Sequence, residues 1–153
     1  MAEIGYIMGA RSVGFVVAMF TMGTISDRLG RKPVMVFGIA STAVLIMAMG
    51  FVTGYLAIAA LVCAVGFTSG AIWIMGPVLS AEAVEPHQRG AGIGVYRTFF
   101  DLGSVLGPIV MTAVFASWGI AYCFYVSTGL LVASIPLAMM IRERVEPAAG
   151  PGV

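Results

Sequence analysis

Arg97 and Asp101 stand four residues apart inside one long apolar run, and Arg11 stands inside another. On a helix, that spacing puts the guanidinium and the carboxylate on one face. Three kinds of chemistry are open to such groups. They can neutralise each other as a structural ion pair. The carboxyl can take up and release a proton, or swap partners. An arginine can hold an anionic ligand. A second concentration of charge is Gly23-Thr-Ile-Ser-Asp27-Arg28-Leu-Gly30-Arg31-Lys32-Pro33, set between two apolar runs. No nucleophile–base constellation, phosphate-cradling Gly-Lys loop or metal-ligand spacing accompanies these residues. Neither an enzyme nor a cofactor or metal site is therefore expected. Cys63 and Cys123 lie in apolar blocks and read as small buried apolar residues. His87 reads as a solvated connector residue, with Glu82 and Glu85 offsetting the basic charge nearby.

The elements that must position these groups are long and apolar. Of 153 residues, 60% are hydrophobic and 10% charged, and the mean hydropathy is +1.03. A soluble domain of this size needs a far more polar surface. The net charge of +1 provides no basic field for nucleic acid. The apolar blocks run to about 18–26 residues, the length that crosses about 30 Å of hydrocarbon at 1.5 Å per residue. Lipid offers no partner for open backbone groups, and the blocks are too long and uniform for barrel strands. The expectation is an all-α polytopic bundle, a single transmembrane domain over 1–153. Its five spans are expected at about 4–25, 33–52, 55–80, 91–116 and 119–141, with a tail at 142–153. The first block is too long for a signal-peptide core and lacks a basic leader.

The connectors alternate. Arg28, Arg31 and Lys32, then Arg89, then Arg142 and Arg144 fall on one side; the connectors near Thr53 and Ser117 carry no charge. By the positive-inside rule the basic side is cytoplasmic, so the N-terminus is expected outside and the C-terminus inside the cytoplasmic membrane. Trp118, Tyr122 and Tyr55 fall near the outer interface. An odd number of spans starting outside reads as a chain that lacks an upstream helix. Gly5/Gly9, Gly66/Gly70, Gly90/Gly94 and Gly103/Gly107 are small residues at the spacing that lets helices approach closely, so a tightly packed bundle is expected. Pro77 and the Gly107-Pro108 step interrupt their spans, as either static bends or flexible points; Pro136 is a weaker case. Asp101 and Arg11 fall at roughly 15 Å and 10 Å of depth from opposite sides, so they would meet if their helices were neighbours.

The connector Gly23-x-x-x-Asp27-Arg28-x-Gly30-Arg31-Lys32 resembles the loop that joins the second and third helices in each six-helix half of the major facilitator superfamily. The stretch Arg89-Gly90…Tyr96-Arg97-Thr98-Phe99-Phe100-Asp101-Leu102-Gly103…Gly107-Pro108 is similar to the fifth helix of such a half. The resemblance covers nearly the whole chain. It implies helices two to six of one half of a twelve-helix secondary transporter, with Gly23, Asp27, Arg28, Gly30, Arg31 and Lys32 as a conformational latch against the opposite half. The alternative for the basic residues is plain anchoring to anionic headgroups, about 1 kcal/mol each. The third span lacks the arginine common in first halves, Gly107-Pro108 is not followed by a glycine pair, and the tail is short. These departures favour the C-terminal half, helices eight to twelve.

The expected function follows. The chain is part of a secondary transporter that moves a small solute by alternating access, with protons as a candidate coupling ion. Its partners are the lipid bilayer, the solute and a missing N-terminal half. A gene fragment or truncated product is one origin of such a chain. A non-transporting helix module for assembly or regulation is the rival reading. An ion channel is disfavoured by the lack of charged rings or a carbonyl filter.

Overall fold

The computed structural model describes residues 2–140. The tail with Arg142 and Arg144 lies outside the described residues. Five helices follow one another: α1 (Ala2–Leu29), α2 (Arg31–Met49), α3 (Tyr55–Glu82), α4 (Arg89–Trp118) and α5 (Ile120–Met140), with a short 3-10 turn, Pro86–Gln88, before α4. All five are long and apolar enough to cross a membrane.

The connectors are shorter than the sequence suggests. The charged stretch 26–32 was expected as a loop, yet α1 continues through Leu29 and α2 begins at Arg31. The reversal is made by Gly30 alone, at φ 90°, where a side chain would be strained. Its N–H closes the last turn of α1 by donating to Ser26 O at 2.9 Å. Arg28 in that turn faces the negative end of the helix dipole, which favours continuing the helix to that point. Gly119, at φ 88°, makes an equally abrupt break between α4 and α5.

The third helix is the hub. It packs on α1, α2 and α4, while α5 closes against α2 and α4. Contact between α1 and α4 is absent among the described residues, so the condition under which Arg11 and Asp101 would meet, neighbouring helices, is not fulfilled; α3 stands between them. The core is a cluster of Ala18 and Met22 from α1, Val34 from α2, and Ala71, Met75 and Leu79 from α3.

Close approach explains the α1–α3 pairing. A Cβ on Gly14 would lie 2.0 Å from the Cys63 carbonyl oxygen, and one on Gly66 would lie 2.2 Å from that of Arg11. Gly70 adds a third contact, with its Cβ position 2.5 Å from Ala18 Cβ. Of the four glycine pairs, Gly66/Gly70 therefore makes a tight seam. Gly5/Gly9, Gly90/Gly94 and Gly103/Gly107 have nothing within 4 Å of their Cβ positions, which corrects the expectation of tight packing along the whole bundle. The reason is that spacing alone does not say which stripe of a helix meets a neighbour. The stripe of α4 that meets α3 carries Gly92, against Ser80, and Tyr96, against Gly76 of α3, instead.

Polar side chains tie the helices within the apolar interior. Thr42 Oγ1 donates to Thr68 Oγ1 at 2.8 Å between α2 and α3, and Thr68 donates in turn to Ala64 O at 3.2 Å. Between α5 and α2, Thr128 donates to Ala43 O at 3.5 Å. Toward the outside the bundle is bare. Val114 is the one buried residue of α4, and Ala138 that of α5, among those described. Phe20, Leu56 and Met140 stand largely exposed, as lipid-facing residues do.

Candidate functional site

The charged residues fall into two groups, one at an end of the bundle and one at mid-depth. At the charged end, Gly30 brings the last turn of α1 and the first turn of α2 side by side. Arg31 forms an ion pair with Glu82 at the last residue of α3, both partly exposed. Lys32 Nζ donates to the Met139 carbonyl in the last turn of α5, where a cation is favoured by the helix dipole. Ser26 is buried and its hydroxyl donates to Gly23 O at 2.8 Å. The stretch 23–32 thus bolts four helix ends together, those of α1, α2, α3 and α5. Asp27 and Arg28 are exposed and make no ion pair among the described residues. His87 is exposed and lies 3.4 Å from Glu85. Beside this end, Arg31, Glu82 and Arg89 share with Pro77 and Ile93 the wall of a cleft of about 460 Å³.

At mid-depth, Arg11, Arg97 and Asp101 are all exposed on the bundle's surface. The sequence spacing offered an Arg97–Asp101 ion pair, but the two side chains do not come within 4.0 Å of each other. Sharing a helix face permits such a pair without forming it: the gain of an exposed pair barely exceeds the cost of ordering two long side chains. Pro77 and Pro108 sit inside continuous helices, Pro77 in the wall of the cleft and Pro108 exposed beside half-buried Gly107. The Pro108 carbonyl accepts a hydrogen bond from Thr112 at 2.7 Å. No group of His, Cys, Asp and Glu gathers as metal ligands among the described residues.

Sequence reasoning did not find a set of aromatic rings at the same depth. Phe15 of α1 meets Trp73 of α3 edge-on, with centroids 6.1 Å apart; Trp73 meets Phe100 of α4 at 4.9 Å; Phe100 stacks on Tyr96 at 6.2 Å. Trp73 lies about 14 Å along α3 from Glu82 and Phe100 about 16 Å along α4 from Arg89, near the middle of a 30 Å hydrocarbon layer. A tryptophan far from either interface was the available signal, since the ring is enriched at the membrane surface. Trp118, Tyr122 and Tyr125 cluster at the opposite, uncharged end in that ordinary way, with centroid spacings of 6.2 and 6.1 Å.

Five helices long and apolar enough to cross a membrane, with a clamped charged end and bare charges at mid-depth, fit an integral membrane protein. Comparison with known proteins specifies which kind. The model of the Major Facilitator Superfamily matches residues 1–152, and the chain belongs to that family of transporters. It is 30% identical to a Cupriavidus pinatubonensis protein named "Probable 4-methylmuconolactone transporter", over 97% of this chain and 35% of the relative. It is also 30% identical to the gallate transporter of Pseudomonas putida, over 91% of this chain and 30% of the relative. A Bacillus subtilis protein described as the uncharacterized MFS-type transporter YceJ is 29% identical over 97% of this chain and 39% of that protein. The chain thus spans about a third of the length of the relatives it matches. No solved structure gives a significant match.

Proposed function

We propose that this chain supplies helices eight to twelve of a twelve-helix secondary transporter, which carries a small organic solute across the cytoplasmic membrane by alternating access. The observation that carries the reading is the exposure of Arg11, Arg97 and Asp101 at membrane depth. A charge at the centre of a span costs at least about 2.5–3.5 kcal/mol against lipid, so these groups belong against water or against another protein surface. A companion half with a water-filled path between the halves supplies both. The bare flanks of α4, with open glycines at Gly94, Gly103 and Gly107, fit the same arrangement, because open glycines let a further helix approach.

In this reading the charged end is cytoplasmic and the N-terminus lies outside. Arg31, Lys32 and Gly30 hold the ends of α1, α2, α3 and α5 as one body, while exposed Asp27 and Arg28 face the companion half and latch one conformation. Asp101 is the candidate for proton coupling. The names of two relatives, for 4-methylmuconolactone and gallate, support small organic molecules as the solute class. The test is co-expression with a companion chain that supplies helices one to seven, followed by co-purification and solute uptake in proteoliposomes. Uptake that needs both chains is the expected result. A stable lone oligomer with no flux would instead make the chain an assembly or regulatory module.

A further inference from the structure

The aromatic rings at mid-depth form a ladder that crosses the bundle where α1 and α4 leave a gap. Trp73 fills that gap and keeps 44% of its surface open. Core packing alone does not call for an indole here, because a buried indole N–H needs a partner and an outward ring gains little from lipid. Cations bracket the ladder. Arg11 lies about 6 Å along α1 from Phe15 toward the uncharged end, and Arg97 lies about 4.5 Å along α4 from Phe100 toward the charged end. Neither arginine makes an ion pair among the described residues. Asp101 is the competing charge. It lies about 100° round α4 from Phe100, whereas Arg97 lies about 60° from it, so the cation shares more of the ring's face of the helix.

The geometry points to a binding site for a planar ring that carries a carboxylate, with the ring against Trp73 and Phe100 and the carboxylate on Arg97. Each part of the site selects one part of that ligand. The indole and phenyl rings, at a 74° interplanar angle, present a face and an edge at which a third flat ring finds offset or T-shaped contact. The planar guanidinium of Arg97 matches a carboxylate with two parallel N–H···O bonds. An acyl chain would leave Arg97 unmatched, and a compact inorganic anion would leave Trp73 bare. Arg11 offers a second cation on α1, toward the uncharged end. The inference rests on the transporter reading for its route to water; binding itself does not require flux.

Trp73 reports on its own occupancy. The full chain with Trp118→Phe, which removes the distant interfacial indole, is placed in lipid nanodiscs and titrated with benzoate while Trp73 emission is followed. The expected result is a saturable change with benzoate and none with benzyl alcohol or acetate. Arg97→Gln weakens the response about tenfold, the worth of one charge-assisted hydrogen-bonded contact, and Arg97→Lys restores part of it. Helix content by circular dichroism confirms that each variant is folded. A flat titration of the folded chain, an equal response to benzyl alcohol, or an Arg97→Gln curve that overlays the parent would overturn the site. Saturable benzoate binding without uptake by the reassembled halves would keep the site and overturn transport. Uptake of a non-aromatic solute with no benzoate binding would do the reverse.

Discussion

The seam between α1 and α3 carries the most demanding contacts in the molecule, and glycine-to-alanine substitutions there test the fold directly. In Gly14→Ala and Gly66→Ala the new methyl carbons would sit 2.0 and 2.2 Å from backbone carbonyl oxygens of the facing helix. Relaxed C···O contacts begin near 3.3 Å, so the helices must part by about 1 Å or more. Because the atoms met are backbone, no side-chain rotation relieves the overlap. The opposing effect is the better helix propensity of alanine, at most about 1 kcal/mol. Overpacking a close-packed interface costs about 1–3 kcal/mol, and separating the helices also loosens Ala18, Met22 and Ala71 in the core. A net loss of about 1–2 kcal/mol is expected at either position. Gly94→Ala and Gly103→Ala meet nothing within 4 Å and are expected to be neutral or to stabilise by up to about 1 kcal/mol. The assay is reversible unfolding of the chain in mixed micelles as denaturing detergent is raised. If Gly14→Ala and Gly66→Ala unfold at the same detergent fraction as Gly94→Ala and Gly103→Ala, the proposed α1–α3 contact is wrong.

Other perturbations probe the polar contacts and the threading. Thr68→Val should destabilise more than Thr42→Val, by about 0.5–1 kcal/mol in the same assay, because it removes the acceptor of the buried Thr42 hydroxyl, whereas Thr42→Val leaves Thr68 bonded to Ala64 O. A double-mutant cycle of Arg31→Gln and Glu82→Gln should give a coupling of about 0.2–1 kcal/mol, since both side chains are about a third exposed and screened by water. With Cys63 and Cys123 replaced by alanine, an impermeant maleimide should label Arg28→Cys and Gln88→Cys from one side of the membrane and Thr53→Cys from the other; labelling of Arg28→Cys and Gln88→Cys from opposite sides would break the threading. In the reassembled transporter, Asp101→Asn should abolish the response of uptake to an imposed proton gradient, and an unchanged response removes the proton role from Asp101.

Hydropathy made the five helices legible, because crossing lipid imposes a length and an apolarity that few other constraints mimic. The family was legible from the stretch Gly23–Lys32, where backbone demands and charge coincide in a short segment. Pairing between helices was not. Gly14, which belongs to none of the noted pairs, makes a closer approach than any glycine of α4's open pairs, since helix contact depends on which stripe the tertiary fold turns inward. Arg31 and Glu82 are distant in sequence, and only the juxtaposition of the start of α2 and the end of α3 brings them together. The extension of α1 to Leu29 was hidden because charged residues next to glycine look the same in a loop and in a final helical turn. The Phe15–Trp73–Phe100 ladder was hidden for a related reason: each ring, taken alone, is an ordinary apolar residue in an apolar helix.

Gly30 has a mechanical consequence. A reversal made by one residue leaves no slack: successive Cα atoms are 3.80 Å apart, so the facing ends of α1 and α2 cannot separate there by more than about 8 Å. At the other end of α2, residues 50–54 run between Met49 and Tyr55 and give the chain room to stretch. Any movement of α2 against α1 must therefore lever about Gly30, with its travel released at the far, uncharged end. A flexible insertion after Gly30 would uncouple that lever while leaving every helix intact.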